Sequence, residues 1–94
     1  MNFDQFNSSI LNDTPYQGIS PLLKVMWLDA KGDWHGAHDI AQDIHDRNGS
    51  WIHAYLHRKE GDLANARYWY QKAGKNEPAV SLEEEWKILV SAFL

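Results

Sequence analysis

Two histidines stand four residues apart in the segment from His53 to His57, and Glu60 follows three positions later. On a helix, residues at i and i+4 share a face, so both imidazoles and the carboxylate project along one line. His-x3-His is a spacing that metal sites use, and two imidazoles with a carboxylate suit a divalent ion such as zinc. The zinc-protease form of this motif places its general-base glutamate directly after the first histidine, and Ala54 stands there instead. His35, His38 and His45 lie in the helical stretch immediately upstream, with His38 and His45 seven apart and therefore on one face. The expectation is that His53 and His57 hydrogen-bond within the fold and that the other three face solvent, with no metal and no cofactor. The alternative is that His38 converges with His53, His57 and Glu60 into a metal or small-molecule pocket, or a pH-sensitive cluster.

The elements that must position these residues are read from periodicity and caps. In 51–60 the apolar residues Trp51, Ile52, Tyr55 and Leu56 form an i, i+1, i+4, i+5 stripe, one face of a helix. Gly61 follows the last periodic residue and can take the left-handed conformation that closes a helix, and Asp62 then caps the next one. That next helix carries Leu63, Ala66, Trp69, Tyr70 and Ala73 at spacings of three and four and ends at Gly74. A Gly-Asp hinge leaves no length for a wandering loop, so the two helices must pack antiparallel.

A shift of about 29 positions lays Gly32-Asp33 over Gly61-Asp62. Leu22, Leu23, Met26 and Trp27 then match Trp51, Ile52, Tyr55 and Leu56, while Trp34, Ala37, Ile40 and Ala41 match Leu63, Ala66, Trp69 and Tyr70. The second unit, through Gly61, Asp62, Leu63, Ala66, Tyr70 and Ala73, resembles the tetratricopeptide repeat and its relatives. Its repeat spacing is shorter than the family's roughly 34 residues, and His53 and His57 fall near positions where the family prefers apolar side chains. The phrases GDWHGAH and HAYLHRKEGD are also similar to segments of small bacterial proteins without an assigned activity. The resemblance implies that the first helix of each hairpin lines a groove for an extended peptide. Trp51, Tyr55, Arg58 and Lys59 would then be groove residues of the second unit, with Met26 and Asp29 in the first. An aromatic floor with two cations suits a carboxylate-bearing peptide. The alternative places these aromatics in the core and the cations in surface pairs.

Before the first hairpin, residues 1–19 read as an arm rich in Asn, Asp, Ser and Gln. Phe3, Phe6, Ile10, Leu11 and Tyr16 can dock it, and a short helical turn fits near Phe3–Asn7. Ser20-Pro21 opens a helix to about Ala30, and Asp33 opens another to about His45. Asp46-Arg47-Asn48-Gly49-Ser50 reads as a compact turn, with Ser50 a candidate cap for the helix bearing His53. Ser81 with Glu84 forms a capping box for a last helix whose face carries Leu82, Trp86, Leu89, Val90 and Phe93. This helix is expected to cover the open side of the 51–60 and 63–73 helices. The architecture is therefore all-α: hairpins at 20–45 and 50–74 in a tetratricopeptide-like right-handed stack, with a capping helix at 81–94, forming one domain over 20–94.

Composition narrows the function. With 94 residues the chain makes one domain with a modest core, and its aromatic content of 13% with five Trp concentrates the buried area in few residues. The absence of Cys excludes disulfides and thiolate metal sites. A net charge of −4 with scattered Lys and Arg argues against nucleic acid. There is no signal-peptide pattern and no stretch of membrane-span length, so a cytoplasmic protein is expected. Catalytic signatures are thin: no phosphate loop, nucleophile elbow or paired-carboxylate motif is present, although a His–acid pair built across helices stays open. In the run Tyr68-Trp69-Tyr70 one side chain must lie outside the buried face, and Tyr68 is the choice, as a homodimer contact or ligand wall. The leading expectation is a small interaction module that binds a peptide or itself.

Overall fold

Both Gly-Asp pairs close one helix and open the next with the same local geometry. Gly32 and Gly61 take left-handed backbone, φ 86° and 92°, a region closed to most residues but open to glycine. Asp33 then accepts the Gly36 N–H at 2.9 Å, and Asp62 the Asn65 N–H at 3.2 Å, each satisfying a donor that a helix start leaves free. The computed structural model describes all residues from Met1 to Leu94. It is all-helical: α1 (Phe3–Ser9), α2 (Pro21–Ala30), α3 (Trp34–Ala41), α4 (Arg47–Glu60), α5 (Leu63–Ala73) and α6 (Leu82–Phe93), without strands. No helix is long and apolar enough to cross a membrane.

The most extensive packing is between α4 and α5, followed by α2 with α3. The main core joins Leu23, Val25, Met26 and Trp27 of α2 to Ile52, Tyr55 and Leu56 of α4 and to Leu89 and Val90 of α6. A second, smaller cluster of Ala54, Ala66 and Tyr70 seals α4 against α5. Small side chains at Ala54 and Ala66 let these two helices approach closely.

Three expectations are corrected. The N-terminal arm docks as expected, with a helical turn where one was expected, but by fewer side chains. A capping box between Asn2 and Gln5 starts α1, Phe6 is fully buried in the main core, and the Trp27 indole donates to the Ser9 carbonyl at 3.0 Å. Leu11 and Tyr16, expected to help dock it, are exposed. The second correction concerns α6, which packs on α2 and α4 rather than covering α4 and α5. Its buried pair Leu89 and Val90 belongs to the core those two helices share.

The third lies between α3 and α4. α3 ends at Ala41 rather than His45, and α4 begins at Arg47, capped by Asp46 rather than by Ser50. The Asp46 carboxylate accepts the Gly49 N–H at 2.8 Å. Gly49 lies directly against the main chain of Ile44, so that a Cβ there would stand 1.8 Å from the Ile44 carbonyl oxygen. Only glycine permits so tight a return of the chain from α3 into α4.

Two buried carboxylates tie the helices together. Asp29 of α2 accepts from the Tyr55 hydroxyl and from Lys59 Nζ, both at 2.9 Å. Glu85 of α6 accepts from the Tyr70 hydroxyl at 2.6 Å and from Arg58 Nη1 at 2.8 Å. Burial, with the adjacent carboxylate, pushes both tyrosine hydroxyls well above the usual phenol range, so they remain donors at any ordinary pH. Every fully buried side-chain polar atom has a partner.

Candidate metal centre

His38, His53 and His57 meet where α3 crosses α4. One ring nitrogen from each lies within 4.8 Å of the other two. His38 Nε2 and His53 Nε2 are 3.0 Å apart, so one carries the proton and the other accepts it. The His53 and His57 rings stack at 4.8 Å on successive turns of α4, as the i, i+4 spacing requires. Both are 6% exposed, and His38 is half-buried.

Two indoles enclose the cluster. Trp34 stacks on His38 and lies edge-on to His57, anchored by its N–H to the Leu56 carbonyl at 2.8 Å. Trp69 of α5 stacks on His53 with ring centroids 4.0 Å apart. The aromatic walls fix the imidazole planes and keep water away from their faces.

Glu60 completes the arrangement from behind. Its Oε2 is 2.6 Å from His57 Nδ1, and since a carboxylate only accepts, the Nδ1 proton must point to it. The lone pair of His57 then resides on Nε2, which faces the Asn65 side-chain amide at 3.3 Å. A carboxylate behind the far nitrogen of a ligating histidine is the usual way to fix its tautomer and raise its basicity toward a metal.

Burial disfavours charge on two of the three rings. Burial, then the neighbouring His57 and His38, holds His53 down at about 4. His38 is lowered by burial first and by His57 second. Near neutral pH these two rings are neutral imidazoles, and both would offer Nε2 lone pairs to a metal once the proton between them had moved to the far ring nitrogen.

Of the residues singled out by sequence, His38, His53, His57 and Glu60 are brought together. This overturns the expectation that His38 faces solvent, because the crossing of α3 over α4 carries it inward. His35 and His45 are exposed, as expected. Tyr55, Arg58 and Lys59 sit on the opposite side of α4, engaged with Asp29 and Glu85. Trp51 is half-buried, edge-on to Phe93, with Lys75 Nζ 4.2 Å over its ring. In the aromatic run Tyr68 is exposed, while Tyr70 is buried. Sequence reasoning missed Trp34, Trp69 and Asn65 as parts of the site. The four-residue spacing of Trp34 and His38 on one helix was the available signal.

The chain matches no protein-family model, no curated protein and no solved structure.

Proposed function

We propose that this protein binds a borderline divalent metal ion, zinc foremost, through His38, His53 and His57, with Glu60 orienting His57. The observation that carries the reading is the mutual approach of three imidazole nitrogens drawn from two helices. Donors about 2.0–2.1 Å from a tetrahedral ion stand roughly 3.3 Å from one another, so the 3.0 Å between His38 and His53 requires only a small outward adjustment. The Asn65 amide beside His57 Nε2 would turn aside as the ion enters. An all-imidazole set without thiolates suits zinc, copper, nickel or cobalt, and not calcium or magnesium. Three protein donors leave a fourth position for water or an exogenous ligand, as in sites that do chemistry rather than purely structural ones.

The test is native mass spectrometry of untagged protein, before and after a chelator, with cobalt substitution followed by visible absorption. The expected result is one metal ion per chain, removed by the chelator and absent in His53→Ala. Bare protein mass in both samples, together with featureless cobalt spectra, would remove the metal reading.

A second reading is a cytoplasmic interaction module of two tetratricopeptide-like hairpins. Its support is the matching Gly-Asp geometry at both hinges and the close packing of α2 with α3 and of α4 with α5. An open cleft of about 490 Å³, lined among others by Phe3, Tyr55, Lys59 and Trp86, favours it further. A peptide would enter that cleft, and exposed Tyr68 would serve a second copy of the chain. Selective broadening of amide signals around the cleft on titration with an acidic peptide is the expected outcome. A concentration-independent monomer mass would argue against self-association.

A further inference from the structure

A pocket of about 400 Å³ opens between the start of α4 and the end of α5. It shares His53 and Trp69 with the histidine cluster, but its chemistry is different. Arg47, Lys72 and His45 line it. The guanidinium of Arg47 reaches toward the end of α5, with Nη1 3.9 Å from where a Cβ on Gly74 would stand. Lys72 leans over Trp69, its Nζ 5.1 Å from the ring. Arg58, Lys59, Arg67 and Lys87 form ion pairs, and of the cations that do not, Arg47 and Lys72 stand together in this pocket. The one acid lining the pocket is Asp46, whose Oδ1 is occupied in capping α4.

Ser50 adds a second, independent observation. It also lines the pocket, it is only 9% exposed, and its hydroxyl makes no hydrogen bond to the protein. The sequence makes this hydroxyl a candidate helix cap, but Asp46 fills that role and frees it. Because every fully buried side-chain polar atom has a partner, this hydroxyl is open to the pocket, where it is free to donate to a ligand beside the two unpaired cations.

We propose that this pocket binds a small oxyanion, the carboxylate or phosphate group of a small molecule. Arg47 offers a planar pair of donors to two anion oxygens, Lys72 supplies a point charge, and Ser50 donates its hydroxyl from the floor. In a chain with a net charge of −4, an uncompensated basic pair on a concave surface draws such a ligand in preference to other faces. The site does not depend on the metal reading.

The experiment is a ¹⁵N–¹H NMR titration of metal-free protein with inorganic phosphate and, separately, with acetate, at constant ionic strength set by chloride. Saturable shifts at Arg47, Ser50, Lys72 and the Trp69 indole are expected with one or both anions, and the tighter of the two identifies phosphate or carboxylate as the ligand's group. Arg47→Gln and Lys72→Gln should each weaken binding at least fivefold, and Ser50→Ala about threefold, with the rest of each spectrum reporting that the fold persists. Equal shifts with chloride, shifts spread over all surface cations, or binding undiminished in Arg47→Gln would overturn the proposal. Because the protein is metal-free throughout, failure to bind zinc has no bearing on this outcome.

Discussion

On one side of α4, Tyr55, Arg58 and Lys59 meet Asp29 and Glu85. On the other, His53 and His57 meet His38. The first side pairs unlike groups: each buried carboxylate receives one tyrosine hydroxyl and one cation, and nothing is left over. The second side gathers like groups. Burial disfavours charge on His38 and His53, and the neighbouring rings disfavour it further. The clamps are complete within the protein, and they join α2, α4, α5 and α6. The histidine side would be completed by a positive ion that takes three lone pairs at once. One helix thus separates a framework of paired charges from a cluster of histidines on its two faces.

The sharpest way to break this contrast is to strand a charge on the clamp side. Arg58→Met leaves Glu85 buried with only Tyr70, and it should cost about 3–5 kcal/mol in urea unfolding. The same variant should leave one metal ion per chain in native mass spectra. If it instead removes the ion while stability holds, the two sides are not separate.

On the histidine side, if it binds zinc as proposed, the effects run through the ion. Zinc at 100 times its dissociation constant should add about 2.7 kcal/mol to unfolding stability. The chelator should reverse this gain, and His57→Ala should abolish it. An equal gain in His57→Ala would show that zinc acts elsewhere.

Acid should reproduce part of that loss without any metal. His53 sits near 4 in the folded chain and near 6.5 when unfolded, so between these values the unfolded state binds more protons. The contribution of His53 to the stability of the metal-free protein is therefore complete above about 6.5 and should fall, by something on the order of 2 kcal/mol, as pH drops toward 4. His53→Gln should flatten that slope. A profile unchanged by the substitution would place the titrating group elsewhere.

The smallest effect expected is at Glu60. Glu60→Gln keeps the shape and a hydrogen bond but loses the charge behind His57, and should weaken zinc binding by about tenfold while leaving unfolding nearly unchanged. Isothermal titration measures the first and thermal denaturation the second.

Much of this was legible before the structure. Apolar residues three and four apart, Ser20-Pro21, the two Gly-Asp pairs and Ser81 determine helices and their ends, because these signals act within a turn or two of the chain. Where two nearby residues could each cap, local reasoning failed. Asp46 and Ser50 are both competent, and the contact of Gly49 with the Ile44 main chain, which no propensity contains, decided for Asp46. The same turn left Ser50 free to line a pocket.

By itself the sequence determined that the chain is helical, where its hinges lie, and that His53, His57 and Glu60 share one line along α4. Only the tertiary structure decided that His38, fifteen residues earlier, closes the triangle, that Trp34 and Trp69 wall it, and that Arg58 and Lys59 turn inward to buried acids. Periodicity is a property of one helix and is written in its own residues. The meeting of two helices depends on which faces their packing buries, and that is settled by the whole core at once.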